Sequence, residues 1–114
     1  MTKLQKQKCI PCKSDTPPMS EEEIKLMQKE VPKWEVLEVD GVHHLRRRFK
    51  FDDFEGALSF TNKVGEAAEE EGHHPVIELT WGKATVTWWT HDVNGLHKND
   101  FIMAAKSDEI YQSM

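Results

Sequence analysis

No stretch of this sequence stays apolar for the roughly 18 residues that a membrane-spanning helix needs, which excludes such a helix. Cysteine is scarce, with two residues in 114, and a chain of this length can bury a sufficient core without disulfides or metal. Basic residues are in the minority, with 15 Lys and Arg against 20 Asp and Glu, for a formal net charge of −5. This balance disfavours non-specific binding to nucleic-acid phosphates. The length leaves room for one domain, and six histidines are its unusual component.

The N-terminal segment is basic, but no apolar stretch follows it, so it does not resemble a secretory signal. We therefore expect a cytoplasmic protein whose Cys9 and Cys12 are thiols. Their Cys-x-x-Cys spacing is compatible with a redox pair or with half of a zinc site, although no second such pair is present. The alternative is a flexible or loosely docked arm over residues 1–19 that ends in two prolines, followed by one domain over residues 20–114.

The periodicity of the remaining chain predicts the order α-β-β-α-β-β-α, which is an α+β fold. Ser20 and Glu23 form a capping-box pattern at the start of a helix that Pro32 ends. Asp40-Gly41 predicts the turn of a first hairpin, and a second hairpin follows the second helix. Two hairpins separated by helices predict a four-stranded antiparallel sheet with the helices packed on one face.

The second helix is predicted to begin at a cap provided by Asp52 or Asp53 and to end at Gly72. Three acidic residues precede Gly72, and negative charge at the C-terminus of a helix opposes the helix dipole. Such local conflicts tend to lie at functional sites. The apolar or small stripe expected to face the core is Phe54, Ala57, Leu58, Thr61, Val64, Gly65 and Ala68.

The second hairpin gives a prediction about the histidines. A two-residue turn at Gly82-Lys83 would pair Trp81 with Ala84, and the same register would place His74 opposite His91. His73 is adjacent in sequence, so three imidazoles are expected at the open end of this hairpin. The tryptophans expected in the core are Trp34, Trp81 and Trp88, whereas Trp89 falls on the other face, where it could stack on a flat ring.

Three imidazoles at one end of a sheet have three interpretations that spacing alone leaves open. They could bind a metal, they could act as general acid and base near neutral pH, or they could be solvated or structural. The other histidines have weaker cases. His43 and His44 are predicted to be surface groups beside a turn, and His97 is predicted to be solvated near the start of the last helix, which covers roughly Lys98 to Tyr111.

The spacing of seven residues resembles the signature of the pterin-4a-carbinolamine dehydratase family, and the likeness covers roughly residues 20–112. The matching residues are Glu69, His73, His74, Pro75, Trp81, His91 and Asp100. The resemblance favours catalysis over the other two interpretations. It implies dehydration of 4a-hydroxytetrahydropterin to quinonoid dihydropterin and water, by a mechanism that needs no metal or redox cofactor.

The expected site combines this resemblance with the predicted hairpin. The catalytic residues are His73, His74 and His91, with His74 as the main general acid or base. Asp100 could orient a histidine or the pterin amine, or simply favour the helix start, and Glu69 could pair with a histidine or be solvated. The residues expected to line the pterin pocket beside the histidines are Gly72, Trp89, Thr90 and Asp92.

The resemblance also implies partners. It suggests recycling of the pterin cofactor of an aromatic amino-acid hydroxylase by a homodimer or homotetramer. From composition and net charge we expect no membrane and no direct nucleic acid as partners. The alternative is a protein-binding module that acts as a dimerisation or assembly cofactor. In that case the helix from Phe54 to Glu71 could pack against a copy of itself.

Overall fold

The protein is described by a computed structural model over residues 4–9 and 17–114. Within those residues three α-helices and four strands occur, and none of the helices is long and apolar enough to cross a membrane. In chain order the elements are α1 (Glu21–Gln28), β1 (Glu35–Val39), β2 (Val42–Lys50), α2 (Phe54–Glu71), β3 (Val76–Thr80), β4 (Lys83–Trp88) and α3 (Lys98–Gln112). The order confirms the predicted α+β arrangement.

The four strands form one antiparallel sheet in the order β1-β2-β4-β3, so β1 and β3 are the edges. Alternate residues of β2 and β4 are buried where α2 and α3 pack against the sheet, among them Leu45, Phe49, Val86 and Trp88. This confirms the expected layer of helices on one face. The opposite face carries most of the polar and charged residues of the same strands.

Local signals in the sequence explain where most elements begin and end. The Ser20 hydroxyl accepts a hydrogen bond from the Glu23 amide, and the Glu23 side chain returns one from Ser20, as predicted. Helix α1 ends at Gln28, however, before Pro32. Asp53 caps α2, and Asp40 and Gly41 form the first hairpin turn with positive φ at both positions, as a type I′ turn requires.

The predicted apolar stripe of α2 was partly wrong. The helix buries Ala57, Phe60, Val64 and Ala68, whereas Phe54 and Leu58 remain 42% and 39% exposed. The Phe60 ring packs against the ring of Phe49, on β2, and against that of Phe51, just after β2. This aromatic cluster determines which side of the helix faces the sheet. Phe54 and Leu58 therefore point outwards.

The register of the second hairpin also differs from the prediction. Leu79 pairs with Ala84 and Thr80 with Lys83, so the turn is Trp81-Gly82 and the strands are offset by two residues from the expected alignment. Gly82 supplies the positive φ of 73° at the second turn position. Because side chains alternate with a period of two, the core face is preserved, but Trp81 is at the tip and 71% exposed rather than buried.

A charged residue lies on the core face of β2 and is neutralised there. Arg47 donates to Asp108 of α3 at 2.5 Å, and the Trp34 indole donates to the same carboxylate oxygen at 2.8 Å. The guanidinium also covers the Phe49 ring at 4.4 Å. These contacts join β2 to the middle of α3, whose first turn enters the site described below.

The described part of the N-terminal arm lies against α3. Leu4 is buried, and the Lys106 ammonium donates to the Gln5 carbonyl at 2.9 Å. The Cys9 amide donates to the Glu71 carboxylate at 2.7 Å, at the end of α2. Cys12 falls outside the described residues, so the predictions for the Cys-x-x-Cys pair and for flexibility of the whole arm stay predictions.

Candidate active site

A cavity of about 340 Å³ opens beyond the ends of β3 and β4. Its volume is at the lower end of the range of small-molecule sites. Its walls contain all three histidines that the sequence singled out and the four residues expected beside them. The lining residues are Gly72, His73, His74, Pro75, Val76, Trp89, Thr90, His91 and Asp92. Asp100 and Glu69 are not part of the wall but contact His73 and His74.

The end of α2 directs His73 into the cavity. Gly72 adopts the left-handed conformation with φ 66°, its amide donates to Glu69, and the His73 amide donates to Ala68. This pair of hydrogen bonds is a Schellman motif, which ends a helix and turns the chain sharply. The residue after the glycine therefore leaves the helix axis and enters the site.

Asp100 is the most buried polar group behind the cavity, with no exposed side-chain surface. Its Oδ1 lies 2.6 Å from Nε2 of His73, and its Oδ2 accepts from the Thr90 hydroxyl at 2.8 Å and the His97 amide at 2.9 Å. Asp100 thus belongs to a capping box at the start of α3 and also contacts a histidine. A carboxylate only accepts hydrogen bonds, so this contact assigns the hydrogen to Nε2 and leaves Nδ1 of His73 to exchange a proton.

The His73 ring stacks on an aromatic side chain of β4. It lies parallel to Trp88, with 10° between the planes and 5.5 Å between the centroids. Trp88 is fully buried, and within the described residues no acceptor meets its indole nitrogen. His73 is thus held by a hydrogen bond at one edge and a ring contact on one face.

His74 is positioned more loosely than His73. Its Nε2 lies 3.1 Å from Glu69 on the last turn of α2, and both side chains are largely exposed. The acidic side chains at the end of α2, whose negative charge opposes the helix dipole, have local partners. Glu69 contacts His74, and Glu71 accepts from the backbone of Cys9.

His91 projects from a tight turn that follows β4. Thr90 and Gly95 exchange two backbone hydrogen bonds, and the residues between them form a short 3-10 turn at His91–Val93 closed by Asn94 with φ 52°. His91 is exposed, and its ring tilts against Trp89 at 4.9 Å. The turn leaves this imidazole free to meet a ligand in the cavity.

The three histidines lie together as predicted, but the predicted register of the hairpin is wrong. In the observed alignment the residue opposite His74 is Trp89 and not His91, and β3 begins only at Val76. The three imidazoles nevertheless share one cavity, because the Schellman turn and the turn after β4 both bring the chain to the same end of the sheet.

Two histidines that the sequence assigned to the surface belong to this region. The His44 imidazole is stacked on the Trp89 indole, and the Nδ1 atom of His97 accepts from the Asn99 amide as the cap of α3. Burial lowers the pKa of both rings. For His97 the spacing to Asp100 is that of a capping box, a signal that could have identified it, whereas His44 needs the pairing of β2 with β4.

The described residues do not contain a ligand set for a metal ion. Over residues 4–9 and 17–114, no three His, Cys, Asp or Glu side chains are grouped closely enough to coordinate one ion. The metal interpretation of His73, His74 and His91 therefore lacks a matching geometry in these residues. Their arrangement instead provides imidazoles with carboxylate partners at the wall of a cavity.

Comparisons with known proteins identify the family. The family model described as pterin 4 alpha carbinolamine dehydratase matches residues 17–110. A protein of Microcystis aeruginosa is 55% identical over 98% of this chain and 97% of its own length, and one of Marinobacter nauticus is 53% identical over 97% and 100%. Both relatives are named as pterin-4-alpha-carbinolamine dehydratases on a provisional basis.

Solved structures show the same fold. A transcriptional coactivator/pterin dehydratase of Brucella melitensis superposes with a TM-score of 0.74 at 32% identity, over 82% of this chain and 97% of that one. A pterin dehydratase-like RuBisCO assembly factor gives 0.60 at 20% identity, over 69% and 89%, which supports the fold alone. By its sequence over nearly the full length, this chain belongs to the pterin-4-alpha-carbinolamine dehydratase family.

Proposed function

We propose that this protein dehydrates a 4a-hydroxytetrahydropterin to a quinonoid dihydropterin by histidine acid–base catalysis. The observation that carries the proposal is the cavity walled by His73, His74 and His91, with the buried carboxylate of Asp100 behind His73. Family membership supports the pterin substrate. The reaction class fits this set of residues because it consists of proton transfers.

The chemistry requires two proton movements. The C4a–O bond breaks as the departing hydroxyl gains a proton and leaves as water. The N5–H bond loses its proton, and its electron pair forms the C4a=N5 double bond. An imidazole can supply the first proton and accept the second near neutral pH, and such groups typically accelerate a step by about 10²–10⁴-fold.

The surroundings of each histidine suggest a division of roles. His74 is the main general acid or base, because it is exposed and in contact with Glu69, an arrangement that permits exchange with water. His91 faces the cavity from its turn and shares proton transfer. His73, held through Nε2 by Asp100, positions the hydroxyl and offers Nδ1 to the substrate. Gly72, Trp89, Thr90 and Asp92 complete the wall that would meet the pterin.

The test is a dehydration assay with 4a-hydroxytetrahydropterin generated in situ, corrected for spontaneous dehydration. We expect His74→Ala and His91→Ala, verified as folded by circular dichroism, to lose on the order of 10²-fold or more in kcat/KM. His43→Ala is the matched control, since His43 lies on β2 outside the cavity wall and contacts Glu38. Turnover of both variants at the wild-type rate would contradict the proposal.

The physiological setting is part of the same proposal. Dehydration of this product returns a pterin cofactor towards its reduced form, which links the protein to an aromatic amino-acid hydroxylase. A homodimer or homotetramer is expected, and the outward side chains of Phe54 and Leu58 on α2 are the apolar surface that supports it. Sedimentation of wild type against Leu58→Lys would measure its contribution.

A second candidate function is a protein-binding role on the same fold. It is supported by the name of the Brucella melitensis relative, a transcriptional coactivator as well as a pterin dehydratase. Such a role would use the outer surface of α2 rather than the cavity. It would therefore survive His74→Ala, whereas the dehydratase activity would not.

A further inference from the structure

Three aromatic rings form a continuous run beside the cavity. The His44 imidazole lies parallel to the Trp89 indole, with 4.0 Å between the centroids and 12° between the planes, and Trp89 in turn meets His91 at 4.9 Å. Trp89 and His91 line the cavity, but His44 does not. His44 thus stands behind a wall residue rather than in the wall.

The pairing of β2 with β4 creates this contact. Leu45 pairs with Trp88, and both side chains are buried on the helix-covered face of the sheet. His44, one residue before Leu45, and Trp89, one residue after Trp88, therefore come together on the opposite face. Trp89 is half-buried and packs against the core cluster, and the His44 imidazole adds a restraint on the ring face that it covers.

A stacked aromatic neighbour limits the rotamers of a partly exposed indole. Aromatic pairs in this geometry contribute enough to change the population of a rotamer by about two- to tenfold. With one face of Trp89 occupied by His44, the rest of the ring is left for the cavity. The contact therefore acts on the shape of the site without adding a group that exchanges protons with the ligand.

The surroundings of His44 favour its neutral form. Burial lowers the pKa of His44, the charge on His91 lowers it further, and Asp100 of α3 raises it. Arg46, the next residue on this face of β2, is paired with Glu35 of β1 at 2.8 Å. Leu37 of β1, which pairs with His44, is apolar.

We propose that His44 is a positioning residue that holds the Trp89 indole as a fixed wall for the flat ring of the pterin. The inference rests on the proposed dehydratase function. Because His44 acts on the wall and not on the protons, its removal should weaken substrate binding and leave the chemical step intact. This separates it from a histidine that transfers protons.

The first experiment measures kcat and KM for dehydration of 4a-hydroxytetrahydropterin. We expect His44→Ala to raise KM about two- to tenfold with kcat within about twofold of wild type. His44→Phe, which keeps a ring on Trp89, should restore KM, whereas His44→Leu, which keeps bulk without a ring, should not. An unchanged KM in His44→Ala, or equal rescue by Leu and Phe, would overturn the inference.

A double-mutant cycle tests whether His44 acts through Trp89. In a Trp89→Leu background, His44→Ala should change KM by less than half of the factor seen in the wild-type background. Additive effects would show that His44 acts by another route and would overturn the proposal. His43→Ala, on the neighbouring residue of β2, is the control and should leave KM unchanged.

A third measurement needs no substrate. In the nitrogen–proton NMR spectrum, the Trp89 indole signal, assigned with Trp89→Phe, should shift and broaden in His44→Ala and recover in His44→Phe. Absence of wild-type turnover would remove the proposed function but leave this measurement decisive for the positioning of Trp89. An indole signal unaffected by His44→Ala would overturn the positioning role whatever the activity.

Discussion

Asp100 serves the fold and the candidate site with the same two oxygens. Its side chain accepts from His73, from the Thr90 hydroxyl and from the His97 amide, and it is shielded from solvent. The start of α3 and the orientation of His73 therefore depend on one carboxylate. A change at Asp100 should affect both stability and turnover.

We expect Asp100→Asn to lower the free energy of unfolding by about 1–3 kcal/mol, because an amide presents hydrogens to groups that already donate. It should also reduce kcat/KM on the order of 10²-fold, because an amide at this position no longer fixes which ring nitrogen of His73 carries the hydrogen. The measurements are urea unfolding and the dehydration assay.

The matched control is Asp108→Asn on the same helix. Asp108 accepts from Arg47 and Trp34 in a largely buried setting but does not line the cavity. It should lose stability and keep turnover. Wild-type turnover in Asp100→Asn would remove Asp100 from the mechanism.

At the scale of single residues, the sequence identified the side chains that line the cavity, and Asp100 and Glu69 behind them, but not the roles of His44 and His97. His73, His74 and His91 carry a spacing signal, and Trp89 follows from its position beside them. His44 and His97 carry none that refers to the cavity. Their importance comes from a contact between strands that are far apart in the chain and from a helix cap that shares its carboxylate with His73.

At the scale of elements, a glycine inside α2 and the glycine that caps it have opposite requirements. Gly72 ends the helix with φ 66°, a conformation that disfavours any side chain, while Gly65 lies in the interior of the helix. A Cβ added at either position meets nothing within 4 Å, so only the backbone conformation distinguishes them.

The same substitution should therefore have opposite effects at these two positions. We expect Gly72→Ala to destabilise the protein by about 1 kcal/mol or more through left-handed strain. Gly65→Ala should stabilise it by about 1 kcal/mol through helix propensity. Chemical denaturation of both variants measures the difference, and equal signs would contradict the Schellman assignment.

Most elements could be predicted because their signals are local. The capping box at Ser20, the Asp40-Gly41 turn and the cap at Asp53 each depend on a few adjacent residues. Two features could not be predicted in the same way. The orientation of α2 depends on the aromatic cluster around Phe60, and the register of the second hairpin depends on which pair of residues forms its turn, where Gly82 occupies the second position rather than the first.

At the scale of the whole molecule, stability should depend on pH through His97 and His44. Burial lowers the pKa of each ring from 6.5, so the unfolded chain binds more protons than the folded one as the pH falls. The stabilisation is complete above about pH 6.5 and is lost as the pH falls from there towards the folded-state values. For His97, protonation of Nδ1 also removes the acceptor for the Asn99 amide at the start of α3.

The prediction is tested by urea unfolding at about pH 7.5 and about pH 5.5. His97→Asn retains a cap acceptor and removes the titrating ring, so it should match wild type at the higher pH and lose less stability at the lower one. An equal loss in both proteins would show that His97 does not contribute to the pH dependence.

The Trp81-Gly82 turn has a consequence for the opposite end of its hairpin. A slide of β3 along β4 by two residues would keep every core side chain on the correct face yet displace the far end by about 7 Å. The observed alignment is the one that forms the cavity walled by His73, His74 and His91. The turn at the hairpin tip therefore sets the alignment of β3 with β4 at the cavity. The length of this turn is constrained by the residues that must meet at the far end of the strands rather than by the energetics of folding.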